Sequence, residues 1–151
     1  MIGLPSPLQN DRFMETMTDW SKAEAPSLDD FAALAEAAFA ALPAPIRRAA
    51  GEIVFRIDDF ASVELLGQLG IEDAFELSGL YEGADLMGRS VIGPAPPPSR
   101  VFLYRRPILD EWAERGDVTL GELIGHVLVH EIGHHMGLSD DDIEAIEADE
   151  A

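Results

Sequence analysis

All four histidines of the chain fall between positions 126 and 135, in the segment TLGELIGHVLVHEIGHHMGLSDDDIEAIEADEA. Within it stands His130-Glu131-Ile132-Gly133-His134, an H-E-x-x-H pattern. Residues four apart on a helix lie one turn apart on one face, so two imidazoles can converge on one ion. Glu131, beside the first histidine, is set to reach a water on that ion rather than the ion itself. Zinc lowers the pKa of such a water towards neutrality, and a carboxylate can take its proton. The pattern extends to H-E-x-x-H-x-x-G-x-x-D through Gly137 and Asp140. From the chain's composition, the short form has chance odds of roughly 1%, and the extended form on the order of one in ten thousand. The extension also has a physical reason. A helix with two histidines offers no third ligand on that face. Gly137 can take a positive φ and turn the chain back, so that Asp140 meets the ion from another direction. Three protein ligands and one open position make a catalytic zinc arrangement. Asp141, Asp142 and Glu144 are close enough to stand as alternatives to Asp140.

Three further residues are weighed for binding or supporting roles. His126 lies one turn before His130 on nearly the same face and could bind substrate or an additional metal; a solvent-facing histidine is the plainer reading. His135 points about 100° away from His134, towards a supporting or exposed position. Tyr104 could stabilise an oxyanion, although an aromatic residue on a strand usually packs.

These groups need a scaffold. Thr119 with Glu122 makes a capping box, and Leu120, Leu123, Ile124, Val127, Leu128 and Ile132 supply an apolar helical face. The spacing predicts a helix from about Leu120 to Met136, stopped by Gly137. Ser27 caps a second helix, LDDFAALAEAAFAAL, ended by Pro43 and Pro45. Residues 52–58 alternate as a strand. Residues 100–105 (RVFLYR) read as another, at a sheet edge because Pro107 follows so closely. Short helices are expected over Val63–Leu69 and Leu109–Arg115, a turn at Gly79–Gly83, and a loop at the Pro-rich stretch 93–99. These elements make one domain over residues 27–151, with residues 1–26 as a loosely structured extension.

Composition narrows the chemistry. The chain has 151 residues, a formal charge of −19 and no cysteine. Without cysteine there are no thiolate zinc sites, iron–sulfur clusters, disulfides or cysteine nucleophiles. The negative charge disfavours nucleic acid and anionic membranes as partners. No secretory signal or membrane span is evident, so a cytoplasmic location is expected.

GLYEG at 79–83, RVFLYRRPIL at 100–109 and LVHEIGHHMGLSDDDI at 128–143 resemble the small bacterial zincin-like metallopeptidases, or minimal zincins. The resemblance implies a compact α+β fold with the active helix packed under a small sheet. It implies one Zn2+ held by His130, His134 and Asp140, Glu131 as general base, and a peptide or protein substrate. Unlike metzincins, the chain has Asp140 where a third histidine usually stands, and no methionine after Met136. Two rival readings are a non-catalytic zinc-binding interaction module and a metal-dependent endoribonuclease. Glu131 counts against both, and the charge against the second.

Overall fold

The computed structural model describes residues 19–83 and 98–150. Among them are six α-helices and three strands. In chain order these are α1 (Leu28–Ala40), α2 (Ala44–Ala50), β1 (Ile53–Asp58), α3 (Val63–Leu69), β2 (Gly79–Glu82), β3 (Ser99–Tyr104), α4 (Arg105–Arg115), α5 (Leu120–His135) and α6 (Asp140–Glu150). The α+β expectation holds. Residues 1–18 of the expected N-terminal extension, and most of the Pro-rich stretch, lie outside the described residues.

The expected capping at Ser27 is present: its hydroxyl accepts from the Asp30 N–H at 3.0 Å, and the Asp30 carboxylate accepts from the Ser27 N–H at 2.8 Å. Pro43 and Pro45 do end α1, but they also open α2, because the first turn of a helix needs no amide donors.

The sheet order is β1-β3-β2, with β1 and β3 parallel and β3 and β2 antiparallel. The edge position expected for residues 100–105 is therefore wrong: β3 is the central strand. Pro107 does not weaken its ladder because the strand ends at Tyr104 and Pro107 falls in the first turn of α4. The helix also begins four residues earlier than the expected Leu109. Gly79–Glu82, read as a turn, forms β2.

Being central, β3 is covered on both faces. Val101 and Leu103 join the main core with Phe31, Ile108, Ile124, Leu128 and Ile132, which brings α1 and α5 onto that side. Tyr104 packs on the other face with Ala61 and Leu66, alongside Phe102. Gly79 permits the closest approach of β2 to α5, since a Cβ there would stand 3.1 Å from Val127 Cγ1 and 3.0 Å from the Phe102 carbonyl oxygen.

Tyr104 is 2% exposed. Burial, and secondarily the charge of Asp58, push its phenol above the ordinary tyrosine value. The unfolded chain ionises this group near pH 10 while the fold resists, so its contribution is intact below about pH 10 and is lost as pH rises through the raised value. Tyr104→Phe should flatten the alkaline fall in stability, as measured by urea unfolding between about pH 9 and 11. An unchanged slope would assign that fall to other groups.

Candidate metal centre

The site is built from one helical hairpin. Helix α5 starts where expected, at a capping box in which Glu122 N–H donates to the Thr119 hydroxyl (3.1 Å) and Thr119 N–H to the Glu122 carboxylate (3.2 Å). Its apolar face is buried: Leu123, Ile124, Leu128 and Ile132 are at most 2% exposed. Burying that face leaves His126, His130 and His134, each four residues from the next, in a row beside it. The His126 and His130 rings are 4.3 Å apart at their centroids, and those of His130 and His134 are 5.5 Å apart.

Helix α5 stops at a Schellman turn. Leu138 N–H donates to the Gly133 carbonyl at 2.9 Å and Gly137 N–H to the His134 carbonyl at 3.0 Å, with Gly137 at φ +85°. The chain then re-enters a helix at once. Ser139 and Asp142 form a reciprocal capping box, each bond 3.1 Å, at the start of α6. This cap occupies the Asp142 carboxylate and leaves Asp140, at the first helical position, free to turn towards α5. The acids of that first turn also suit the positive end of the helix dipole.

The two helices run antiparallel, so chain positions pair in reverse. Asp140 Oδ1 lies 2.7 Å from His134 Nε2 and 3.7 Å from His130 Nδ1. Two turns further along α6, Glu147 Oε2 lies 3.4 Å from His126 Nδ1. Ile143 sits between these acids, fully buried against Gly133, where a Cβ would stand 2.9 Å from two of its atoms. The hairpin can close this tightly because residue 133 is glycine.

His130, His134 and Asp140 present donor atoms within 4.8 Å of one another. Two donors about 2.0–2.2 Å from a tetrahedral zinc stand about 3.3–3.5 Å apart. The separations of 2.7 and 3.7 Å bracket that spacing, so the set fits zinc with small side-chain shifts. Burial, and then neighbouring His126, hold the His130 imidazole below its ordinary pKa. A neutral imidazole has the lone pair a metal needs.

Glu131 points differently from its neighbours. It is partly buried and accepts a hydrogen bond from the Tyr81 N–H of β2. Burial pushes its carboxyl above the ordinary value, opposed by nearby His134 and by the Tyr81 bond. A raised carboxyl is a better proton acceptor than an exposed one. His135 is exposed and its ring packs on Tyr81, with centroids 4.2 Å apart. Tyr104 is not brought to the histidines; it lies across the sheet.

Two participants went unread in the sequence. Tyr81 could be found only through the pairing of β2. Glu147 had a signal: it lies seven residues after Asp140, two turns along one helical face, as His126 and His134 lie eight apart on theirs.

Residues 50–150 match the family model described as zincin-like metallopeptidase, which covers two-thirds of the chain. No curated protein matches the sequence. Among the described residues, no helix is long and apolar enough to cross a membrane.

Proposed function

The chain belongs to the zincin-like metallopeptidase family, and from that premise we propose that it is a zinc-dependent peptidase in which His130, His134 and Asp140 hold the ion and Glu131 is the general base. The observation that carries this reading is the convergence of Asp140 on the two histidines of the H-E-x-x-H pair, across a turn that Gly137 makes possible. When bound, zinc supplies Lewis-acid chemistry, polarising the scissile carbonyl and making water more acidic. The protein's own groups do the rest. His130 and His134 offer neutral nitrogens from a rigid helix, and Asp140 brings the negative charge that helps retain a dication. Glu131 takes a proton from the attacking water and delivers it to the leaving amine. Its bond to Tyr81 N–H holds the carboxylate between α5 and β2, close to where a peptide would lie.

Strand addition by the substrate cannot occur on β3, which has β1 and β2 on its two sides. Of the outer strands, β2 borders Glu131, and an extended peptide laid along it would bring its carbonyl towards the base. Residues 27–151 form the working domain in this reading, with 1–26 as an extension. The place of Phe31 and Ala35 in the main core supports counting α1 within that domain.

The test is removal and return of the metal. Chelation should abolish cleavage of a peptide library and lower the melting temperature, and stoichiometric zinc should restore both. Ligand at about a hundred times its Kd adds roughly 2.7 kcal/mol to folding stability. A zinc-loaded chain that cleaves nothing would overturn the peptidase reading in favour of a binding module.

A further inference from the structure

The row of histidines on α5 is longer than a three-ligand site requires, and α6 answers its extra member with a second acid. His126, His130 and Glu147 present donor atoms within 4.8 Å of one another, the same closeness as the first set. We propose that these three residues form a second, overlapping seat for a divalent transition-metal ion such as zinc, sharing His130 with the first.

The donor chemistry is that of the first set: two imidazoles and one carboxylate. The spacing is suitable as well. His126 Nδ1 and Glu147 Oε2 stand 3.4 Å apart, about the separation of two ligands on one tetrahedral ion. It is long for an N–H···O bond, which centres near 2.9–3.0 Å, so these atoms are placed more as neighbours on an ion than as partners of each other. The arrangement follows from the hairpin. Asp140 and Glu147 are two turns apart on α6, about 10 Å, and His134 and His126 about 12 Å apart on α5. Each acid therefore meets a different end of one histidine row. The second set is also reachable. A hollow of about 450 Å³, walled by Ala38, Leu42, Gly121 and Val129, has His126 and Glu147 on its lining.

Sharing His130 has a chemical consequence. A neutral imidazole has one lone-pair nitrogen and one N–H, so His130 can serve one ion at a time. The two seats are alternatives, and an ion in the second withdraws a ligand from the first. At saturating metal the ion would then divide between the two sets in the ratio of their affinities, so the first set would stay partly empty however much metal is added. This inference extends beyond the peptidase reading and holds whether or not the chain cleaves peptides.

Cobalt(II) absorption is the probe, since its visible bands report N/O coordination directly. In the His134→Ala/Asp140→Ala variant, which lacks the first set, one Co2+ per chain should still bind. Adding Glu147→Gln, or separately His126→Ala, should weaken that residual binding by about tenfold or more. Circular dichroism keeps the result readable, because His126 and Glu147 are both partly exposed and neither substitution empties the core. No Co2+ binding by the folded double variant would overturn the proposal. So would residual binding indifferent to both added substitutions. Loss of peptide cleavage bears on neither outcome.

Discussion

Glu131→Gln is expected to reduce peptide cleavage by about 10²–10⁴-fold, the usual worth of a positioned general base, with zinc content unchanged. Gln has the same shape and keeps a carbonyl oxygen to accept the Tyr81 N–H, so the side chain should stay between α5 and β2. It cannot take a proton. Glu131 is partly buried and its burial opposes ionisation, so a neutral amide should leave folding stability equal or slightly improved. The measurements are initial rates at saturating zinc, metal analysis and a melting curve. A variant that cleaves at the wild-type rate would remove Glu131 from the chemistry. One that loses zinc would mean that Glu131 helps hold the metal, whatever its part in proton transfer.

Ile143→Ala should have the largest effect on stability, a loss of about 2–5 kcal/mol as for other fully buried aliphatic truncations. Ile143 is 0% exposed and seats α6 on α5 over Gly133. The other apolar residue of the helix packed on the core, Ile146, is only partly buried. Asp140 and Glu144 are four apart, and Asp141 and Glu144, like Glu144 and Glu147, are three apart, so like charges repel along its surface. Truncating Ile143 should therefore loosen Asp140 and Glu147 together, and zinc affinity should fall along with the denaturation midpoint. Ile146→Ala, at a partly buried position, is the milder control. If stability falls while zinc affinity is untouched, the packing of α6 is not what keeps Asp140 near the histidines.

Much of the candidate site could be read from sequence because it is local. Its residues sit on two helices whose caps, Thr119 with Glu122 and then Gly137, are visible as residue types. The capping role of Asp142 carries the same Ser-x-x-acid spacing as Thr119 with Glu122, but it is easily passed over in an acidic run that also offers metal ligands. Helix α5 and strand β1 were legible from their periods. Strand β3 was legible as a strand but not as a central one. Its run Val101-Phe102-Leu103-Tyr104 lacks polar alternation, which is the mark of a strand buried on both faces. Pro107 was given more weight than that run, yet it belongs to the helix that follows. Strand β2 spans only four residues and carries no period of its own; it exists because β3 offers it an edge. Helix α2 was hidden by prolines that can both end one helix and begin another.

The ligand row and its acids all come from residues 126–147, one uninterrupted length of chain. Joining residue 130 to residue 140 closes a loop of about ten residues, which costs little chain entropy and takes place on a submicrosecond scale. Closing the centre is thus a short-range event within one hairpin, and Ile143 joins that hairpin to the core that holds Val101 and Leu103. An ion bridging the hairpin would tie α6 more firmly into the same cooperative unit as the core. Metal availability would then set how much of the protein unfolds when it opens.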